Sequence, residues 1–464
     1  MKKICICLLL FILIGCTSSN SGLVANQNSF IDHNSDKVII NGHEYNYDTT
    51  SGATVLPSRS ADGVEYVPMS LEEKEKIMHW TATPPLGLIE GEYYFIDHKF
   101  GHFNDKYDAL IDLVIKDGKI VHVEMDEKLS PTYYNKTWAN QKKRRTGYTF
   151  FQFSKPRTDI TKVTWANGVT FLEYQILKYN SLNIDFSTVY GSTNSARDGF
   201  IPAVNLLKEQ IKKPSGQYYI GYTKETNEGL LARLQLVFEN DKIVKASYDE
   251  IFPDTKEAIK SESLKKYYRQ SKYDSIEYQA DFNNQFNKFS DALVAKIIEN
   301  NSLEFEADFK DKEFVVFKDL AKDLKNVIAK MPKAPYSHNI GKIDQKPENM
   351  IIDENNISRQ QDIDMSLLKS VYDQDGQTLT LDVEVTNKSD KAYKFKTGSF
   401  YMYVMNTQGI YDTVADPDSR QLEVAANSKL VVTLKVKPIY KTDTDMSLKY
   451  DGLNKIYHSM NVSK

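Results

Sequence analysis

Cysteine is nearly absent. The chain has three, Cys5, Cys7 and Cys16, and none of its remaining residues is a thiol. Downstream of Cys16 this excludes a disulfide framework, a cysteine zinc site, an iron–sulfur cluster and a cysteine nucleophile. Long apolar runs are scarce as well. The one at the start, Ile4 to Ile14, is too short to cross a bilayer as a helix. Excess charge of one sign is also missing: 59 Lys and Arg stand against 63 Asp and Glu, for a net charge of -4. That balance argues against nucleic acid as a partner, because such a surface needs a dominant basic face. The one dense basic run, Lys142-Lys143-Arg144-Arg145, reads as a solvated loop or strand edge. No phosphate loop, His-Glu-x-x-His, Gly-x-Ser-x-Gly or calcium loop occurs, so no catalytic residue and no metal site is assigned. His98, His102 and His122 lie close together in or beside a hairpin, where their spacing does not converge side chains; all three read as solvated.

What is present begins with a targeting segment. Lys2 and Lys3 precede the apolar run, and "LIGC" (Leu13 to Cys16) ends it. This resembles a bacterial lipobox, which implies a signal peptide over residues 1–15 and a lipid on Cys16. At ~0.8 kcal/mol per buried CH₂, more than one acyl chain anchors firmly where a single chain does not. The expected location is the outer face of the cytoplasmic membrane, with the membrane itself as partner through the lipid. Residues 16–85 read as a tether. It contains a small hairpin turning at Asn41-Gly42 and a short helix from Ser70 to Trp80 with a capping box.

An internal repeat follows. "GEYYFIDHKF" (from Gly91) is echoed by "GQYYIGYTKE" (from Gly216), about 125 residues later. "DLVIKDGKIVHVEMDE" (to Glu127) is echoed by "LQLVFENDKIVKASYDE" (to Glu250). Alternating apolar runs around Asp-Gly and Asn-Asp turns predict a hairpin in each copy. Trp165, Val169, Leu172 and Ile176 share one helical face, as do Phe286, Phe289, Leu293 and Ile297. "NSLNIDF" (from Asn180) matches "NSLEFEA" (from Asn301), and each copy closes on a further helix. The paired carboxylates Asp126-Glu127 and Asp249-Glu250 read as strand-end structural groups. The expected fold is α+β: two tandem repeats, each an antiparallel sheet with helices, over 86–212 and 213–332. A Pro-punctuated linker over 333–360 and an all-β, immunoglobulin-like sandwich over 361–464 complete it. In the sandwich, Leu379, Leu381, Val383 and Val385 alternate, as do Leu430, Val432, Leu434 and Val436.

The repeat design, with G-x-Y-Y, a hairpin ending "DGKIVHVEMDE", a Tyr pair and two helices, resembles the FMN-binding-domain surface lipoproteins of Gram-positive bacteria. These include extracellular electron-transfer flavoproteins and sex-pheromone precursor lipoproteins. The resemblance spans roughly residues 86 to 330. It implies FMN joined through its phosphate to a Thr in Asp-x-x-Ser/Thr-Gly/Ser-Ala-Thr/Ser by a separate flavin transferase. Before the last helix of the first repeat, "STVYGSTNSARDGF" keeps Gly191 and places Thr193 at the acceptor position. Ser187, Tyr190 and Ser192 depart from the pattern. The second repeat is degenerate there. The complete pattern lies in the tether: Asp48, Ser51, Gly52, Ala53 and Thr54 in "DTTSGATVL". An ordinary turn after the hairpin is the alternative reading of that stretch. Tyr93, Tyr94, Trp138 and Trp165 are candidates to stack on or shield the ring, with core packing as the other role.

Two functions follow as expectations. The first is a non-enzymatic flavin carrier that relays electrons from a membrane electron donor to an outside acceptor. The second is a surface interaction lipoprotein with decayed flavin sites. In either, "LLFILIG" (Leu9 to Gly15) resembles peptide pheromones released from such signal peptides.

Overall fold

The computed structural model describes residues 30–31, 37–40, 43–46, 82–101, 107–133, 135–150, 165–184, 186, 195–347, 362–406, 409–414, 420–451 and 457–464. Near the start, β1 (Phe30–Ile31), β2 (Lys37–Ile40) and β3 (His43–Asn46) form a small antiparallel sheet. Ile40 pairs with His43, as the expected hairpin requires. The helix expected over Ser70 to Trp80 lies outside the described residues.

The repeats share one sheet. β4 (Gly87–Phe100), β5 (Tyr107–Lys116) and β6 (Lys119–Lys128) come from the first copy. β7 (Gln217–Glu225), β8 (Leu231–Glu239) and β9 (Lys242–Ile251) come from the second. The six strands run in the order β6-β5-β4-β7-β8-β9. The first strands of the two copies pair antiparallel at the centre, from Gly87↔Thr223 to Glu92↔Tyr218. The two-residue turns are built as the sequence demands. Asp117 and Gly118 both have left-handed φ (51° and 73°), as do Asn240 and Asp241 (49° and 62°). Each hairpin carries a bulge at the same place, between Val114 and Ile115 and between Val237 and Phe238.

Helices cover one face of this sheet. In the first copy α1 (Trp165–Tyr179) and α2 (Ile201–Gln210) close a core with Leu113, Met125, Leu172, Ile176, Val204 and Leu207. In the second, a short α3 (Ile276–Asp281), α4 (Gln285–Asn300) and α5 (Lys312–Ala329) do the same with Leu234, Phe289, Leu293, Phe317 and Leu320. The recurring "NSL" has a physical use. Asn180 and Asn301 end α1 and α4 in the left-handed conformation (φ 48° and 49°). Each side-chain oxygen accepts the backbone N–H at the start of the neighbouring strand, Ile120 in one copy and Ile243 in the other, both at 2.7 Å.

Half of the segment expected as a linker is a packed strap. The Tyr336 ring packs at a tilt against that of Tyr218, and the Tyr336 hydroxyl accepts the N–H of Asp241 (3.1 Å). His338 Nδ1 lies 2.9 Å from Glu92 Oε2, and the N–H of Gly118 donates to Asn339 O (3.1 Å). Ile343 is fully buried in the core of the first repeat. Two apolar anchors hidden among prolines and lysines, Tyr336 and Ile343, thus tie both repeats together.

The last module is a sandwich of β10 (Ile363–Asp373), β11 (Thr378–Asn387), β12 (Tyr393–Lys396), β13 (Phe400–Asn406), β14 (Gly409–Val414), β15 (Gln421–Val424), β16 (Ser428–Val436), β17 (Asp443–Asp451) and β18 (Tyr457–Val462). One sheet runs β10-β11-β16 and the facing one β14-β13-β17-β18, with β12-β15 as a short pair. This crossing order is immunoglobulin-like. Leu379, Leu381, Val383 and Val385 are buried, as their alternation requires. On the outer side of β17, Lys449 is buried too. It pairs with Asp198 of the first repeat at 3.1 Å, so this sheet face packs on the repeats.

Candidate functional site

The residues expected to carry lipid and flavin lie outside the described residues: Cys16, Asp48, Ser51, Gly52, Ala53, Thr54, Gly191 and Thr193. The described chain resumes at Ser195, where a π-helical turn, Ser195–Phe200, leads into α2. The aromatic candidates are all committed to packing. Tyr94 and Trp165 sit in the first core, Trp138 in a cluster with Tyr133 and Tyr148, and Tyr93 on the opposite sheet face beside Tyr219. Trp165 also donates its indole N–H to Glu127 Oε2 at 2.9 Å.

The chemistry-bearing residues that the fold does bring together lie on the sheet face away from the helices, where the two repeats meet. Strand alternation sends Val123 and Met125 of β6 into the helix-side core and His122, Glu124 and Asp126 the other way. Glu124 is the hub. Arg145 contacts both its oxygens (2.9 and 3.2 Å), and Arg233 of the second repeat reaches Oε2 at 2.8 Å. The two guanidinium groups hold the Glu124 carboxyl well below the usual range despite its burial. Arg233 Nη2 also faces His122 Nε2 at 3.3 Å. The His122 and Tyr219 rings stack, and Tyr219 stacks in turn on Tyr93. Tyr219 lies flat across Gly221, where any Cβ would strike its ring.

Two expectations are corrected here. Lys142 is exposed, but the rest of the basic run is not solvated. Lys143, Arg144 and Arg145 are buried and paired with Glu127 (2.6 Å), Glu173 and Glu124 (2.9 Å) respectively. Two of the three partners, Glu124 and Glu127, lie on β6, whose Asp126 accepts the backbone N–H groups of Lys143 and Arg144, while Glu173 comes from α1. Nor is His122 solvated; it is 3% exposed, and burial together with Arg233 lowers its pKa to about 3. His98 is half-buried and His102 lies outside the described residues.

The paired carboxylates do act at strand ends. Glu127 takes Lys143, and Glu250 takes Lys272 at 2.6 Å together with the hydroxyl of Tyr248 at 2.8 Å. Lys272 also reaches Glu313 of α5 at 2.9 Å. The lysines around this architecture were missed by motif reading. Motif spacing carries no signal for these cations, because their partners lie on other elements, Glu173 on α1 for Arg144 and Glu313 on α5 for Lys272. Among the described residues no group of His, Asp and Glu is placed to hold a metal ion. The arrangement is an ion-paired, hydrogen-bonded seam, suited to fixing two repeats in register rather than to turning over a substrate.

No protein-family model matches the chain, and no curated protein sequence matches it. Among solved structures, the yjhA protein from Bacillus subtilis is similar at a TM-score of 0.17 and 11% identity, covering 22% of this chain and 92% of that one. DesR, a β-glucosidase from Streptomyces venezuelae solved with D-glucose, is similar at 0.16 and 15% identity, covering 22% of this chain and 15% of its own. Likeness at this level carries no argument about what the chain does.

Proposed function

We propose that the chain is a lipid-anchored, extracytoplasmic carrier of FMN, with the flavin joined through its phosphate to Thr54 and the lipid on Cys16. The observation that carries this reading is the pattern Asp48-x-x-Ser51-Gly52-Ala53-Thr54, complete at every specified position, downstream of a lipobox. The packing of the repeats supports attachment outside them, because Tyr93, Tyr94, Trp138 and Trp165 are buried against protein. With no thiol after Cys16, electron transfer in this protein falls to a borrowed cofactor. The carrier would accept electrons from a membrane donor and pass them outward, after a separate flavin transferase has loaded it. Co-expression with a magnesium-dependent flavin transferase tests this by in-gel fluorescence and intact mass. The wild type should fluoresce after denaturation, Thr54→Ala should not, and Thr193→Ala should. Loss only in Thr193→Ala moves the site into the first repeat.

The second reading is a surface interaction lipoprotein without flavin. It is favoured by the charged seam, whose described groups pair with one another rather than presenting a site. A dark wild type beside a labelled control substrate would favour it over the flavin carrier.

A further inference from the structure

The two repeats place a tyrosine at matching points on the sheet face away from the helices, Tyr93 on β4 and Tyr219 on β7. Each sits opposite a valine of the next strand, Val114 and Val237. Opposite those valines come His122 on β6 and Lys245 on β9. The sheet curls towards this face, so Lys245 of the edge strand reaches back to β4 and donates to the Tyr93 hydroxyl at 3.1 Å. The two tyrosine rings stack across the seam, 5.8 Å between centroids and 17° between planes. His122 stacks on Tyr219 on one side, and Lys245 lies over Tyr93 on the other, 5.6 Å from the ring centre. The match breaks at the hydroxyls. Tyr93 donates its proton to the Asp112 carboxylate, on the neighbouring strand β5. At the same place in the second copy stands Gln235, whose Nε2 donates to the Tyr219 hydroxyl at 2.9 Å while its Oε1 accepts from Ser247 (3.1 Å). Tyr93 therefore faces a base where Tyr219 faces a donor.

We propose that Tyr93 is a one-electron redox site: a strong outer-sphere oxidant takes an electron from its ring, and the phenolic proton crosses to Asp112 in the same step. The O–H bond of Tyr93 breaks and an O–H bond on Asp112 forms. Tyr93 is left as a neutral radical, and the oxidant is reduced by one electron. A one-electron donor such as ascorbate reverses both transfers. The proposal stands apart from the flavin reading. A phenol yields only to strong oxidants, so the site is a sink for oxidising equivalents and not a relay for the carrier's electrons. Three features suit Tyr93 to this. A base must lie within hydrogen-bond reach of the proton it takes, and Asp112 does. Burial, with Asp112 beside it, holds the phenol protonated far above its ordinary range, so no phenolate forms first. Tyr93 is 3% exposed, which keeps its radical from solvent, while Phe95 and Lys245 at the rim are exposed and leave the electron a short way out.

The test uses the full chain and tris(bipyridine)ruthenium(III), generated in solution by flash and quench. Transient absorption and electron spin resonance read the tyrosyl radical. The wild type should give a long-lived radical that forms more slowly in heavy water. Tyr93→Phe should lose it and keep the short-lived radicals of exposed tyrosines. Asp112→Asn, which still offers an acceptor oxygen but takes no proton, should lose it as well, and Tyr219→Phe should retain it. A long-lived radical that survives in Tyr93→Phe or in Asp112→Asn overturns the proposal, as does loss confined to Tyr219→Phe. A wild type whose radicals all decay as fast as those of a free tyrosine peptide overturns it without any variant.

Discussion

His122 lies on β6 with its ring parallel to that of Tyr219 and its Nε2 facing a guanidinium nitrogen of Arg233. A proton on that ring would be buried beside a cation. The folded pKa of about 3 lies below the 6.5 of an unperturbed histidine, so the folded state binds fewer protons than the unfolded one. The linked stability is fully present above about pH 6.5 and is lost as the pH falls towards 3. His122→Gln, which still offers Arg233 an acceptor, should reduce the acid-side loss seen in urea unfolding between about pH 6.5 and 4. If the variant loses stability on acidification as steeply as the wild type, the neutral, buried histidine is the wrong description.

At the scale of elements, the two asparagines that end α1 and α4 give an internal control. Asn180→Ala and Asn301→Ala each remove an acceptor for a strand N–H and place alanine at positive φ. Each should cost about 2 kcal/mol in urea unfolding. The two costs should add, because the sites lie in separate cores. Strands, helices and turns were legible here because each has a local cause: the alternation of Leu379 to Val385, the helical face of Phe286 to Ile297, the Asp-Gly turn. Even the "NSL" match was visible, although its use as helix stop and strand pin was not. Charge pairing was illegible. Nothing local distinguishes Arg144 in solvent from Arg144 against Glu173, since the partner is 29 residues away. For the flavin and lipid residues, the pattern in the sequence remains the basis of the reading.

At the scale of the molecule, six strands from two repeats form one sheet, and the strap of residues 333–347 holds both halves from one end. Ile343 carries the strap's grip on the first repeat: Leu182 N–H donates to its carbonyl (2.8 Å), and Ser181 Oγ donates to the same oxygen (3.1 Å). Ile343→Ala should destabilise the protein by about 3 kcal/mol. Hydrogen exchange should place the weakening at the amides of Leu182 and Ile120, far from it in sequence. Faster exchange confined to the strap would show that the first repeat stands without it.

The strap also sets an order of events. A chain made from its N-terminus releases the first repeat early, yet the residue that plugs that repeat's core arrives roughly 130 residues after α2 has ended. At ordinary rates of synthesis the delay is on the order of ten seconds. Through that interval the first repeat must wait with an open hydrophobic socket. It is then the nascent chain's most vulnerable part, the stretch for which a holding chaperone has most to do.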